Sequence, residues 1–214
     1  FFKDGIVEFV DDGGNDPHQE NNFVTRYGEE LNTEVAALSG SWVIKSSDDP
    51  DFGSEGVSPV NAFRKSKLNG LAQFDWNVTT DDWNYEYTLD HSIFLELPAS
   101  LKEGKTYTVE IDPATETDRT SYTFTYSIFT SPTEAIHLNI VGFSTDNSIK
   151  AADLYMWMGD GGARDYSSFE GNQVYIYDVN TEKSYPVGNV EFFTSRAPEP
   201  GSHLLIASDV WTAD

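Results

Sequence analysis

The stretch Trp76 to Tyr87, WNVTTDDWNYEY, sets two Trp and two Tyr among Asp, Asn and Glu. An aromatic face stacks on the apolar face of a sugar ring, while nearby acids and amides bond the hydroxyls. Trp76, Trp83, Tyr85 and Tyr87 are therefore candidate carbohydrate contacts. The alternation of Trp83, Tyr85 and Tyr87 has a plainer reading, a strand face turned to a core or to a neighbouring module. Two loops could hold a cation. DDGGNDP offers Asp11, Asp12, Asn15 and Asp16, and GDGGARD offers Asp160 and Asp165. Oxygen-rich loops tightened by Gly suit Ca²⁺. Neither loop has the spacing of an EF-hand, and Asp/Gly turn chemistry explains both more simply. Asn77-Val78-Thr79 is a glycosylation sequon, relevant only in a eukaryotic secretory host.

Other chemistry finds little support. The four His, at 18, 91, 137 and 203, are scattered, with no His-x-x-x-His pair for zinc. His137 is expected to face outward from a strand, and His91 to lie in a turn ahead of one. There is no Gly-x-Ser-x-Gly elbow and no phosphate loop. Adjacent acids recur, as Asp11/Asp12, Asp48/Asp49 and Asp81/Asp82. Glycosidases need two carboxylates about 5–10 Å apart. With 36 acids in the chain, chance supplies such pairs freely, so these are expected to be solvated surface.

The elements that must carry these residues are strands. At 214 residues the chain suits two small β domains, and 14% aromatic content is too high for disorder. A net charge of −23 repels phosphate backbones and anionic membranes, so nucleic acid is not an expected partner. Absence of Cys removes disulfides and thiol chemistry. No apolar run reaches the length of a membrane span. The chain begins Phe1–Phe2 rather than with Met, as expected after signal-peptide removal or for a fragment.

Phe1 to Val10 reads as a strand, and Glu29 to Leu38 as an ambiguous helical face. Trp42 to Lys45 looks like a strand start, and Ser46 to Pro59 an acidic loop. Ile93, Leu95 and Leu97 alternate up to Pro98. Leu101, Gly104 and Tyr107 have the spacing of the tyrosine corner of immunoglobulin-type sandwiches, in which a Tyr hydroxyl bonds upstream backbone. Tyr107, Val109 and Ile111 alternate next, followed by Tyr122, Phe124, Tyr126 and Ile128. A corner, a strand, a hairpin and a last strand end such a sandwich. The expected boundary lies at residues 130–133, with Ser131–Pro132 as linker, giving modules 1–130 and 131–214.

The second module opens with EAIHLNIVGFSTDNSIKAADL. Ile136, Asn139, Gly142, Phe143, Lys150 and Ala151 follow the pattern Ile-x-x-Asn-x-x-Gly-Tyr, a short turn, then Lys-Ala and a strand. In this the chain resembles the N-terminal immunoglobulin-like module of family-9 glycoside hydrolases, with Phe143 where that module has Tyr. Strands are expected at about 135–141, 151–158, 173–179, 184–193 and 203–211. The closing strands of such a sandwich are not among them, so Asp214 is expected to be a cut in a longer polypeptide. The fold expectation is thus all-β: two tandem immunoglobulin-like β-sandwiches, the second incomplete. In that family the catalytic domain is a separate helical barrel that carries the acids. The resemblance implies a non-catalytic accessory region of a secreted, extracellular polysaccharide-degrading enzyme. Its partners would be the downstream catalytic domain and a polysaccharide. The alternatives are an independent carbohydrate-binding or adhesion protein, and a structural subunit of an extracellular assembly.

Overall fold

In the computed structural model, residues 2–4, 6–10, 23–27, 29–196 and 208–213 are described, with fourteen strands and one short helix among them. The strands are β1 (Phe2–Lys3), β2 (Ile6–Val10), β3 (Phe23–Tyr27), β4 (Trp42–Lys45), β5 (Asn61–Asn77), β6 (Asp82–Glu96) and β7 (Thr106–Ile111). They continue with β8 (Ser121–Thr125), β9 (Ile136–His137), β10 (Ala152–Leu154), β11 (Gln173–Asp178), β12 (Lys183–Asn189), β13 (Glu191–Thr194) and β14 (Val210–Ala213). All pairings between them are antiparallel, so the protein is all-β. Helix α1 (Thr33–Ala36) is a single turn, capped by Asn32, whose side-chain oxygen accepts the Val35 N–H. That turn is what remains of the helical face at Glu29 to Leu38: Leu38, which would extend the face, is left exposed, and the chain passes at once into a 3-10 turn, Ser39–Ser41.

The chain divides into two compact units, Phe1–Tyr126 and Ser127–Asp214. In the first, one sheet has the order β1-β6-β5 and another β4-β7-β8. Their inner faces meet. Phe2 of β1 and Trp42 of β4 are buried together, with Ile93 and Leu95 of β6 and Val109 and Ile111 of β7 against them. A neighbouring cluster joins Ile44, Phe52 and Tyr107 to Leu97, Leu101, Phe124 and Tyr126. Two sheets closed over a shared apolar layer make a β-sandwich. β2 and β3 pair as a hairpin near β5 and β6.

The expected tyrosine corner is present. Tyr107 is 0% exposed, and its hydroxyl accepts the backbone N–H of Lys102 at 2.9 Å. Gly104 turns the chain at φ +74, a conformation that favours Gly, and its N–H reaches the Tyr126 carbonyl. The expected first strand, by contrast, is divided between β1 and β2, with Asp4 in the break.

In the second unit the sheet order is β13-β14-β10-β9, with β11-β12 as a separate hairpin. Ala135, Tyr166, Val190 and Trp211 are buried together, and Leu154, Met156 and Val174 pack on them. The strand expected at 135–141 is only β9. Asn139 stops it, its side chain accepting the Val141 N–H and its carbonyl the Gly142 N–H, an Asx turn in place of a ladder. Leu138 and Ile140 alternate as a strand would, yet Ile140 is 101% exposed. The strand expected at 184–193 is two, β12 and β13. Val190 separates them, turned into the core and bonded by its backbone to Gly171 and Asn172. Of the strand expected at 151–158 only β10 forms. Of the one expected at 203–211, residues 208–211 are described, and β14 begins at Val210.

Candidate carbohydrate-binding ribbon

β5 and β6 form the longest hairpin, pairing from Asn61↔Glu96 out to Asn77↔Asp82. β6 runs without interruption, while β5 carries extra residues between Leu68 and Gly70 and between Phe74 and Trp76. Such bulges bend one strand and increase the local twist of the ribbon. The tip is closed by Asn77, whose side-chain oxygen accepts the Thr79 N–H at 3.0 Å and the Thr80 N–H at 3.3 Å. Asp81 then takes a left-handed φ of 55°, and Asp82 caps the Trp83 N–H at 2.7 Å. Asn and Asp enter this conformation more readily than other non-glycine residues, which is why the turn is built from them.

Side chains in a strand alternate faces, so Trp83, Tyr85, Tyr87, His91, Ile93 and Leu95 of β6 share one. The near end of that face is core: Ile93 and Leu95 lie under β4 and β7. Toward the tip the same face is more exposed. Tyr85 is 47% and Tyr87 54% exposed, and Trp83 is half-buried. Opposite Tyr87 stands Leu71, which is exposed as well. Trp76 is the register partner of Trp83. The structure thus sets Trp83, Tyr85 and Tyr87 in one row, with Trp76 across the ribbon from Trp83, and the row belongs to none of the three core clusters. Alternate residues of a strand stand roughly 6.5–7 Å apart.

The cation candidates are placed differently. Asp11, Asp12, Asn15 and Asp16 lie outside the described residues. Asp160 sits in a 3-10 turn, Gly159–Gly161. Asp165 accepts the Ser167 N–H at 2.8 Å, and that bond draws its carboxyl below the usual range. Among the described residues, no three His, Asp or Glu are gathered as a metal ion would need.

No protein-family model matches this chain, and no curated protein or solved structure is significantly similar to it. The site therefore rests on its own geometry.

Two polar clusters escape the sequence pattern. The acid pair Asp48/Asp49 was expected to be solvated surface, but Asp49 is 1% exposed. Its Oδ2 accepts the Tyr107 hydroxyl at 2.7 Å, and its Oδ1 accepts the Lys102 ammonium at 2.6 Å and the Asp51 N–H at 3.1 Å. The Lys102 bond, then the Tyr107 bond, holds the Asp49 carboxyl down at about 2. Burial, then the Asp49 hydrogen bond, pushes the Tyr107 phenol up. The second cluster corrects the expectation for His91. It lies inside β6 rather than in a turn, because Asp4 and Ser66 satisfy both ring nitrogens within the sheet. Nε2 is 3.0 Å from Asp4 Oδ1, and Nδ1 is 2.8 Å from Ser66 Oγ. These are the residue types of a hydrolytic triad, with the ring nitrogens reversed. His91 is stacked beneath Phe2 and sealed from solvent. Asp4 is occupied by the N–H groups of Leu31 and Leu89. The arrangement is a clamp that ties β1 to β6. His137 is likewise half-buried, stacked on Tyr155 at 3.8 Å and bonded to its carbonyl, because the short β9 leaves its ring against that neighbour.

Proposed function

We propose that this chain is a non-catalytic accessory region of a secreted polysaccharide-degrading enzyme, built from two immunoglobulin-like sandwiches, and that the β5–β6 ribbon contacts the polysaccharide. One observation carries the proposal: Tyr85 and Tyr87 stand half exposed on one face of the ribbon, beyond Ile93 and Leu95. Leaving such ring faces in water is unfavourable, and a ligand with apolar faces that covers them recovers that free energy. The long ladder fixes the backbone that carries the rings, so little backbone entropy is lost on contact. The motif at Ile136, Asn139, Gly142, Phe143, Lys150 and Ala151 supports the enzyme context.

The test is affinity electrophoresis through gels containing soluble β-glucan, xylan or chitin-type polymers. Wild type should be retarded by at least one of them. Tyr85→Ala/Tyr87→Ala should lose at least tenfold in affinity, about 1.4 kcal/mol, with an unchanged melting temperature. Equal retardation of the wild type and the double variant would remove the ribbon from consideration.

A further inference from the structure

We infer that β8 is the seam of a homodimer: it adds to the β8 of a second copy of this chain, antiparallel, about a twofold axis through Thr123. β8 closes one side of the sheet β4-β7-β8, and among the described strands it pairs with β7 alone. The ladder fixes which backbone groups face out. The Tyr126 N–H bonds the Lys105 carbonyl, and the Ile111 N–H bonds the Thr120 carbonyl. Those two pairs bracket the register from Thr106↔Thr125 to Glu110↔Ser121, and in an antiparallel ladder bonded pairs alternate with unbonded ones. Tyr122 and Phe124 therefore turn their N–H and C=O toward β7, while Ser121, Thr123 and Thr125 turn theirs outward. The hydroxyl contacts agree: Thr125 meets Thr106 at 3.1 Å and Thr123 meets Thr108 at 2.8 Å, and side chains approach most closely in the unbonded pairs. Three backbone donors and three acceptors thus line an edge whose residues are exposed.

Edges are ordinarily blunted by charge, by Pro or by a cover. The far side of the same sheet is covered, since Ile44 of β4 exchanges backbone bonds with Val57. β12 carries Lys183 and Pro186. β8 has no such device: from Thr120 to Thr133 the chain has no charged residue, and Pro132 lies beyond the strand. A second observation also asks for a neighbour. Tyr122 stands opposite Val109, on the face that carries Tyr107 and the core, yet it is 53% exposed. One more strand would cover it. A second copy fits because the twofold sets like against like. Thr123 meets Thr123 and Ser121 meets Thr125, each pair closing two backbone bonds. Tyr122 falls opposite the partner's Phe124 in an unbonded pair, where rings come closest. Two chains of net charge −23 can touch along this stretch without setting carboxylate against carboxylate, and it holds no charge that would select a basic chain instead. β8 lies in the other sheet from the β5–β6 ribbon, so its pairing makes no use of Tyr85 or Tyr87.

The experiment is sedimentation equilibrium of the full chain up to about 1 mM, a range that reaches weak association. A monomer–dimer equilibrium is expected. It should tighten about tenfold or more between 0.1 and 1 M NaCl, as the screening length falls from about 10 Å to about 3 Å and the two acidic chains cease to repel. Thr123→Pro removes an outward N–H and no bond of the β7 ladder, so it should abolish the dimer and keep the fold. Thr123→Lys sets two ammonium groups face to face and should do the same. Tyr122→Ala acts twice across the axis and should weaken the dimer about tenfold. Disulfides read the seam itself, since the chain has no Cys. Thr123→Cys places two thiols on Cα atoms about 5.5 Å apart and should cross-link under mild oxidation. Thr108→Cys, on the same face but one strand inward, should not. Ser121→Cys should cross-link with Thr125→Cys in a mixture, and neither with itself. A monomer at every concentration and salt overturns the inference and leaves the edge to a strand of another chain. A dimer that survives both Thr123→Pro and Thr123→Lys, or that cross-links through Thr108→Cys and not through Thr123→Cys, overturns it as well, because the copies then meet elsewhere.

Discussion

Tyr107 shows how one residue ties a corner, a loop and a core together. Its ring sits edge-on to Phe52 at 5.2 Å and stacks with Phe124 at 5.8 Å, so it fills space between β7, β8 and the loop after β4. Its hydroxyl is both acceptor, from Lys102 N–H, and donor, to Asp49. Tyr107→Phe keeps the ring and leaves a buried carboxylate oxygen short of one donor, which should cost roughly 1–3 kcal/mol. Tyr107→Ala also opens a cavity and should cost roughly 3–5 kcal/mol. Urea unfolding separates the two, and an equal loss from both would mean the hydroxyl contributes nothing. Acid should act on the same site. The Asp49 carboxyl titrates near 2 when folded, below its ordinary 3.8, so the folded state gains stability from it at any pH above about 4. That gain is lost as pH falls from about 4 through about 2. Asp49→Asn should be less stable than wild type at pH 7, and the gap between them should narrow across that window. A gap that stays constant from pH 6 to pH 2.5 would contradict the assignment. Tyr107 was legible in the sequence because Leu101, Gly104 and Tyr107 lie close together in the chain. Asp49 was not, because its partners are 53 and 58 residues away and nothing local distinguishes it from Asp48.

At the scale of elements, strands were legible where alternation met a partner, and misread where alternation stood alone. Trp42–Lys45 forms β4 because β7 lies beside it, from Trp42↔Ile111 to Lys45↔Thr108. Leu138 and Ile140 have the same alternation without a described ladder partner, and Asn139 turns the chain instead. Pairing is a long-range property that a local period does not encode. The candidate ring row was legible as Trp83, Tyr85 and Tyr87. Whether it faced a core or open space depended on how far β4 and β7 reach along β6, which no single stretch states. The loop after β4 supplies a test of its own at Gly56. Its φ is +84, and a Cβ there would stand 2.6 Å from the Val43 and Lys45 side chains and 3.0 Å from the Ile44 carbonyl oxygen. The neighbouring Val57 bonds Ile44 in both directions, so the backbone has little freedom to give way. Gly56→Ala should cost on the order of 1–3 kcal/mol from the left-handed backbone alone, with the clash added. Thermal unfolding checks it. Gly104→Ala is the control: its φ is +74, but an added Cβ meets nothing within 4 Å, so it should cost less than Gly56→Ala. The reverse order would mean that the loop after β4 is free to move.

At the scale of the whole molecule, charge is the dominant fact. Thirteen Lys and Arg stand against 36 Asp and Glu, so even complete pairing would leave a net charge of −23. Several bases are already engaged: Lys102 with Asp49 and Asp51, Lys45 with Glu110, and Lys3 with Asp90. The remaining repulsion acts mainly in the compact state, where like charges are closest, so it opposes folding. Screening shortens its reach from about 30 Å at 0.01 M salt to about 3 Å at 1 M. The melting temperature should therefore climb as NaCl rises over that range, and equally with tetramethylammonium chloride, because screening depends on ionic strength and not on the cation. A flat or falling curve would mean that the carboxylates are spaced widely enough not to feel one another. Calcium gives the sharper comparison. At matched ionic strength, screening alone predicts the same shift for CaCl₂ as for NaCl. An excess shift with CaCl₂ would require oxygen ligands held together, and the loops with Asp11, Asp12, Asn15 and Asp16 or with Asp160 and Asp165 are the places to look. Asp160→Asn/Asp165→Asn preserves hydrogen-bond acceptors while removing two charges. It should abolish any excess that arises at Gly159–Gly161, and leave untouched one that arises at residues 11–16.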